Sequence, residues 1–198
     1  MDKNHVCDIR DHILEALLPA VPFDGWRWSA VCTAALSAGY EEGMPKAVFP
    51  EGISDVLSTF SDRADLMMLE SLKALDPEEM RVRDRVREAL VARYTYLQPH
   101  KEAVRQSALF WAVPWRKPQA AKIIWRTADR IWDWAGDTAS DYNRYTKRGL
   151  LSGIIVPTTL VWLNDGDEAM DETKAFLDRR IENVMQLNRV LNQVKRAS

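Results

Sequence analysis

The chain has 198 residues, of which 46% are hydrophobic, and a formal net charge of −2 at pH 7. This length can bury a substantial core in one or two small domains, and the near-neutral charge excludes a generally polycationic nucleic-acid binder. The charge is uneven, because residues 1–60 carry a net −5 and residues 81–148 a net +8, so any positive surface is expected in the middle of the chain.

Helical periodicity runs through nearly every segment, and no segment alternates as a strand does, which predicts an all-α fold of about nine helices. Three short helices are predicted over residues 8–20, 28–38 and 45–49, with Gly39 as a left-handed stop after the second. We expect residues 1–51 to form a small three-helix part and residues 52–198 to form a larger helical domain.

The middle of the chain contains four further predicted helices. One covers residues 53–75, and the next follows a strong start signal, in which Asp76 is the N-cap and Pro77 the first helical residue. A third lies between Pro99 and Pro114, and a fourth covers residues 119–135 and ends at Gly136.

The eighth predicted helix contains fifteen consecutive residues without an ionisable side chain, Gly149 to Leu163. As a helix this run covers about 22 Å, too short for the roughly 30 Å hydrocarbon core of a bilayer. Pro157 removes an interior hydrogen bond, and the glycines and serine before it leave little side-chain volume. Two interpretations stay open: a kinked helix beside a lipid-sized cavity, or the buried central helix of an ordinary core.

The ninth predicted helix runs from about residue 170 to 195. It follows the acidic stretch NDGDEAMDE, residues 164–172. Because this stretch lacks the ligand spacing of a calcium loop, we interpret it as a turn that caps the helix.

No arrangement typical of catalysis emerges. None of the three histidines lies in a metal-binding motif, and the sequence has no nucleophile elbow, phosphate loop or dinucleotide-binding glycine motif. Asp129, Asp133 and Asp137 share a helix face, but Arg126 and Arg130 beside them account for intrahelical ion pairs. We therefore expect no catalytic residue, metal site or cofactor, and keep a carboxylate enzyme as a third hypothesis.

The cysteines and the N-terminus bear on location. Cys7 and Cys32 are too few and too isolated for a disulfide framework or a zinc site, which indicates a reducing compartment. Acidic residues interrupt any candidate signal sequence, and the composition is unlike a mitochondrial presequence. We expect a cytoplasmic protein.

Four stretches carry a family resemblance: GWRWSAVCTAALSAGY (25–40), PHKEAVRQSALFWAVP (99–114), the segment 135–153 with AGDT and NRYTKRGLLSG, and FLDRRIENV (176–184). They resemble the ubiquinone-biosynthesis accessory family, the ninth of the Coq series. The resemblance covers the chain from about Asp8 to Leu187.

The resemblance implies a fold like that of the TetR regulators, with a helix-turn-helix remnant before a larger domain that encloses a lipid cavity. It also implies a non-catalytic homodimer that binds an isoprenoid lipid or quinone precursor and supports a quinone-pathway hydroxylase. Contact with the inner face of the cytoplasmic membrane is left open.

The expected site residues fall into two sets. The positions of Tyr142, Arg144, Tyr145 and Arg148 correspond to the exposed patch through which family members dock the hydroxylase. The expected lipid-binding residues are Trp125, Ile131, Trp132, Leu150, Gly153, Ile154, Pro157, Val161 and Trp162.

The alternative function is that of a TetR-type transcription regulator. Such a protein must neutralise several phosphates near its reading helix, yet residues 44–49 offer only Lys46, beside Glu41 and Glu42. We therefore expect no nucleic-acid partner.

Overall fold

The structure, a computed structural model, describes the backbone of residues 3–137 and 142–197 and the side chains of residues 5–137 and 144–186. Over these residues the chain forms helices and no strand, which confirms the predicted all-α fold. The α-helices are α1 (Lys3–Leu17), α2 (Val21–Asp24), α3 (Trp28–Ser37), α4 (Met44–Val48), α5 (Ile53–Leu72), α6 (Val82–Leu97), α7 (Lys101–Trp111), α8 (Lys117–Trp134), α9 (Tyr142–Asn164) and α10 (Asp171–Ala197).

One compact unit combines Met1–Met67 with Leu97–Ile123. In it α1 packs against both α3 and α4. Ile13, Leu17 and Val31 have no solvent-accessible surface and belong to the core of this unit. Each such side chain contributes about 1.5–3 kcal/mol by leaving water, and this burial holds the short helices together.

The predicted helix-turn-helix pair is present as α3 and α4. Gly39 has a φ of +85°, and Tyr40 N donates to Ala35 O at 2.9 Å. This bond closes the left-handed end predicted for α3.

A second compact unit combines Met68–Tyr96 with Ile124–Ser198. At its centre the Tyr94 ring stacks on Trp162, with ring centroids 5.3 Å apart. The Tyr94 hydroxyl lies 3.0 Å from Thr159 Oγ1, and burial raises the pKa of this hydroxyl to about 12. One side of the uncharged run of α9 therefore supplies part of the core of this unit.

Pro157 does not interrupt α9, which is continuous from Tyr142 to Asn164. Two threonines after it bond back to carbonyls on the same turn, Thr158 Oγ1 to Ile154 O at 2.7 Å and Thr159 Oγ1 to Ile155 O at 2.8 Å. These bonds satisfy carbonyl groups next to the position where proline offers no N–H.

The start of α10 confirms the interpretation of the acidic stretch as a cap. Asp165 is buried, and its carboxylate accepts from Thr173 N at 2.9 Å and from Thr173 Oγ1 at 2.6 Å. It thus satisfies a backbone donor in the first turn of α10 that has no partner within the helix.

One predicted boundary was wrong, and one short helix was not predicted. Asp76 accepts from Glu78 N at 2.8 Å, but it caps a short 3₁₀ turn (Pro77–Glu79), and α6 begins only at Val82. Residues Val21–Asp24 form α2, a helix too short for its periodicity to be read. The boundary predicted after residue 51 stays a prediction.

Candidate functional site

The site expected from the sequence lies on α9 and on the part of α8 within the second unit. Near its start, α9 carries Arg148, whose side chain is only 1% exposed. Its Nη1 lies 3.1 Å from Asp137 Oδ2 and its Nη2 3.2 Å from Asp133 Oδ1. Its Nε also donates to Asp129 Oδ1. We call this arrangement the arginine cluster.

Two more cations of α9 complete the arginine cluster. Arg144 Nη2 contacts Asp129 at 3.0 Å, and Lys147 Nζ contacts Asp137 at 2.6 Å. Burial disfavours the charge of Asp129, but the hydrogen bonds and charges of Arg148 and Arg144 outweigh it and lower its pKa. Burial likewise opposes the charge on Arg148, and the carboxylates outweigh it and raise its pKa.

The cluster corrects two expectations. Arg148 was expected in an exposed docking patch, and this was wrong, because its guanidinium is buried against carboxylates. The three aspartates were expected to pair with Arg126 and Arg130 on their own helix, and the structure adds partners on α9. Spacing within one helix cannot reveal a partner on the next, so the sequence reasoning missed this link.

Two tryptophans of α8 contact the beginning of α9. Trp132 Nε1 donates to Lys147 O at 3.1 Å, and the Lys147 ammonium lies 5.4 Å from the Trp132 ring centroid. Trp125 lies beside Tyr145, with ring centroids 6.1 Å apart. Both tryptophans are partly buried, so each keeps some accessible apolar surface.

The residues expected to bind lipid separate into three groups. Ile131, Ile154 and Trp162 are at most 5% exposed and are packed as core. Gly153 is exposed, and a Cβ on it would meet open space among the described residues. It therefore lies outside the packed core, and its assignment to the lipid site stays a prediction. The remaining residues are only partly buried: Trp125, Trp132, Leu150, Pro157 and Val161.

We call Leu150, Pro157 and Val161 the flank of α9. They are spaced by seven and four residues and lie on one side of the helix. Leu150 is three residues after Lys147, which contacts Trp132. No contact among the described residues places Pro157 or Val161 beside Trp125 or Trp132. The flank is thus an apolar part of the uncharged run that is neither core nor fully exposed.

A second, more exposed stripe of α9 lies next to the flank. Tyr145 is 63% exposed, Val156 44% and Leu160 55%. Gly149 and Gly153 complete it at helical spacing, and both are exposed. We call these five residues the stripe. It combines large apolar side chains with two glycines, a pattern that permits close approach of another surface.

The expected docking residues differ in placement. Arg144 keeps 42% of its side chain exposed while it contacts Asp129, and Tyr145 is exposed on the stripe. The side chain of Tyr142 lies outside the described residues. Arg144 and Tyr145 are thus accessible from solvent, whereas Arg148 is buried and joins α9 to Asp129 and Asp133 of α8.

The surface around the helix-turn-helix pair offers few cations for a DNA backbone. Those beside α4 are Lys46 on α4 itself and Arg10 on α1. Lys46 Nζ donates to Pro50 O at 2.8 Å, and Arg10 Nε donates to Val48 O at 2.7 Å. Both cations therefore satisfy backbone carbonyls at the end of α4.

Among the residues that the structure describes, no group of three or more His, Cys, Asp or Glu residues is arranged to hold a metal ion. In the same ranges, no helix is long and apolar enough to cross a membrane.

Comparison with known proteins gives a consistent picture. Residues 117–188, which include α8 and α9, match the family model COQ9. The protein "Ubiquinone biosynthesis protein COQ9, mitochondrial" is 29% identical in Rattus norvegicus, 27% in Homo sapiens and 30% in Drosophila melanogaster. Each alignment covers 94% of this chain, which spans 62%, 61% and 58% of those relatives. The names of these relatives describe them as mitochondrial. They therefore give no support to the cytoplasmic location expected from the sequence.

A solved structure shows the fold. The TetR transcriptional regulator from Nitrosomonas europaea ATCC 19718 superposes with a TM-score of 0.71 and 17% identity, covering 90% of this chain and 99% of that one. The resemblance inferred from the sequence is therefore confirmed: the chain is similar to the COQ9 proteins over nearly its whole length and has the fold of a TetR regulator.

Proposed function

We propose that this protein serves ubiquinone biosynthesis as a non-catalytic accessory protein, which binds an isoprenoid quinone intermediate and presents it to a hydroxylase. The observation that carries the proposal is the uncharged run of α9, which leaves an apolar flank accessible beside a packed core. A polyprenyl tail is insoluble in water, and covering it stabilises the complex by roughly 25 cal/mol per Å². The similarity to COQ9 proteins supplies the pathway.

The flank is the proposed contact for the isoprenoid, together with Trp125 and Trp132. These five side chains retain accessible surface, whereas Ile131 and Trp162 have none. The tail would therefore lie against the flank rather than behind it. Entry deeper into the unit would require the core side chains to move.

Arg144 and Tyr145 are the proposed contacts for the hydroxylase. Tyr145 is exposed and touches Trp125, so a partner bound there would lie near one end of the lipid contact. The arginine cluster holds this end of α9 in place. The partner would meet α9 where ion pairs join it to α8. A docking surface that is held in place in this way suits presentation of a bound molecule.

We also propose that the protein is a homodimer in which the stripe takes part through its residues after Tyr145. Glycines at positions 149 and 153 allow a second helix to approach closely, and Val156 and Leu160 supply apolar area. The flank and the stripe then have separate occupants on adjacent sides of α9.

Absence of catalysis is supported by how the acidic groups are used. Asp129, Asp133 and Asp137 were the best candidates for a carboxylate site, and each contacts Arg148. A carboxylate whose pKa is lowered by ion pairs is a poor general base, and Arg148 and Arg144 lower the pKa of Asp129 in this way. Replacing Asp133 with Asn is expected to leave respiratory growth unchanged, and loss of growth with a folded protein would revive an enzyme.

The test uses two adjacent residues on different sides of α9. Val161→Arg places a charge on the flank, and Leu160→Arg places the same charge on the stripe. An organic extract of each purified protein is analysed by mass spectrometry, and its oligomeric state by sedimentation. We expect Val161→Arg to reduce the retained isoprenoid at least about tenfold. The bound tail would cover the guanidinium and remove its charge from water, which is unfavourable. Leu160→Arg should keep the isoprenoid and yield a monomer.

Two results would contradict the proposal. One is a wild-type extract with no isoprenoid beyond that of an unrelated protein prepared identically. The other is equal retention by Val161→Arg, with circular dichroism showing a folded protein. For the docking surface, Tyr145→Asp should weaken capture of the hydroxylase and leave the isoprenoid content unchanged, with Leu160→Arg as the control on the same stripe.

The alternative function, a DNA-binding regulator, has only the fold in its favour. Residues 1–60 carry a net −5, and Lys46 and Arg10 bond to backbone carbonyls at the end of α4. We expect no retardation of duplex DNA at about 0.1 M salt. A salt-sensitive shift at submicromolar protein would instead favour the regulator.

A further inference from the structure

The stretch FLDRRIENV, residues 176–184 on α10, has no role in the function proposed above. The described residues that line one open cleft of the second unit all come from it: Phe176, Arg179, Arg180, Glu182 and Asn183. The cleft has a volume of about 410 Å³. This volume falls within the range of small-molecule sites, about 300–1,000 Å³.

Two arginines of this cleft lie beside one aromatic ring. The guanidinium carbon of Arg180 lies 5.1 Å from the Phe176 ring centroid, and that of Arg179 lies 5.9 Å from it. A guanidinium within about 6 Å of a ring centroid is attracted to the ring. Phe176 is partly buried, whereas both arginines are exposed. The ring therefore holds two cations at one place on α10 while they stay accessible from solvent.

Neither guanidinium has a hydrogen bond or an ion pair among the described residues. The carboxylate of Asp178, which precedes Arg179 in sequence, accepts from Arg87 Nε at 2.8 Å instead. Each guanidinium carries five N–H donors in a planar fork. The pair therefore keeps hydrogen-bonding capacity that an anion can use.

The pair fits a phosphate group better than a carboxylate. A carboxylate has two oxygens and one negative charge, and a single guanidinium can satisfy both oxygens. A phosphate monoester carries a charge of about −1.5 to −2 at pH 7 and three acceptor oxygens, so it can engage two guanidinium groups at once. The exposed amide of Asn183, in the same cleft, offers two more N–H donors.

One carboxylate of the cleft opposes an anion. Glu182 lines it together with the two arginines, and its carboxylate accepts from Gln186 Nε2 at 3.3 Å. A like charge beside a bound anion is unfavourable. Glu182 is therefore expected to limit the affinity of the cleft for phosphate, which gives the charge argument a test of opposite sign.

We propose that the cleft on α10 binds the phosphate or diphosphate group of a small soluble molecule, with Arg179, Arg180 and Asn183 donating to its oxygens. This binding site is separate from the flank of α9, and the inference goes beyond isoprenoid binding and does not depend on it. Because the cleft is open, the affinity is expected to fall as salt screens the charges.

The experiment is calorimetric titration of the purified full chain with inorganic pyrophosphate, and with acetate at the same pH and ionic strength. Arg179→Gln/Arg180→Gln removes both cations. Its matched control, Lys117→Gln/Lys122→Gln, removes the same net charge from two exposed residues of α8. A third variant, Glu182→Gln, removes the opposing carboxylate. Circular dichroism checks that each protein is folded, and sedimentation gives its oligomeric state.

We expect the wild type and the matched control to bind pyrophosphate equally, and acetate at least about tenfold more weakly. Arg179→Gln/Arg180→Gln should lose at least about tenfold in pyrophosphate affinity. Glu182→Gln should gain about two- to fivefold, the effect of one exposed charge.

Three results would overturn the proposal. The first is a wild type that does not bind pyrophosphate. The second is an equal loss in the matched control, which would show a response to net charge alone. The third is a wild type that ignores pyrophosphate while Arg179→Gln/Arg180→Gln becomes monomeric, which would assign the two arginines to contact with a second copy. None of these readouts depends on isoprenoid retention, so failure here is distinct from failure of the proposed function.

Discussion

Replacement of Arg148 by Met removes the cation at the centre of the arginine cluster while keeping most of its apolar volume. The variant leaves Asp129 and Asp137 beside α9 with fewer positive partners. Asp137 is 4% exposed, so its charge cannot be compensated by water. The expected consequence is a large loss of stability, since an unpaired buried charge costs far more than a surface one.

The magnitude follows from how buried each partner is. Loss of one member of a buried ion pair costs about 3–5 kcal/mol. Lys147 still contacts Asp137 and Arg144 still contacts Asp129, and Asp133 is 61% exposed and contributes little. We therefore expect the low end, about 3 kcal/mol, which is about a hundredfold in the unfolding equilibrium.

The assay is urea unfolding of the wild type and of Arg148→Met, followed by helical circular dichroism. Arg83→Met is the matched control, because Arg83 is 43% exposed and its ion pair with Asp84 spans 3.4 Å. An exposed pair of this kind is worth about 0.2–1 kcal/mol at most. Equal losses of stability in the two variants would contradict the larger effect expected for the buried ion pair.

The pH dependence provides a second check. The pKa of Asp129 is lowered from its usual 3.8 in the folded protein. Its stabilising contribution is therefore present above the unfolded pKa and is lost as the pH falls through the folded value. The stability difference between wild type and Arg148→Met should be largest near neutral pH and narrow below about pH 4. A difference that stays constant with pH would show that the loss is one of packing.

Three further predictions concern the stability of the helices. Asp165→Ala removes the acceptor for Thr173 and should lower the unfolding free energy by about 1–2 kcal/mol in the same assay, and an unchanged midpoint would exclude a capping role. Tyr94→Phe removes the hydroxyl bonded to Thr159 and should cost about 1 kcal/mol, whereas a gain in stability would show that the bond does not offset the burial of the hydroxyl. Gly39→Ala forces a side chain into the left-handed region and should cost about 1–2 kcal/mol by thermal unfolding, and a neutral result would mean that the turn relaxes.

The helices could be predicted where their periodicity is long and their ends carry strong signals. Gly39 and Gly136 were predicted as stops, and both have positive φ angles, because glycine adopts the left-handed conformation without steric cost. Asp76 shows the limit of such signals. Its carboxylate accepts from a backbone N–H as predicted. The same capping bond can form at the start of a 3₁₀ turn or of an α-helix, so it does not show which of the two follows.

The site was predictable in its location and less so in its detail. The absence of charge from Gly149 to Leu163 pointed correctly to α9 as a central helix of its unit. It could not show which residues face the core, because a run that is apolar on all sides has no amphipathic phase. Trp162 and Gly153 were therefore assigned the same role, although one is fully buried and the other exposed.

Arg148 was misplaced for a different reason. A resemblance transfers positions, not burial, and an arginine in a run of charged residues is usually solvated. Its burial depends on three carboxylates that come from α8 and the residues after it. Only the packing of α9 against α8 brings these charges together.

The proposed function places an isoprenoid against the flank of α9. This placement can be tested by photoaffinity labelling with an isoprenoid analogue that carries a photoreactive group on its tail, with peptide mass spectrometry to identify the labelled residues. We expect the label to be concentrated at Leu150, Pro157 and Val161 and to be lost in Val161→Arg. Labelling spread over the surface, or concentrated in the other unit, would contradict it.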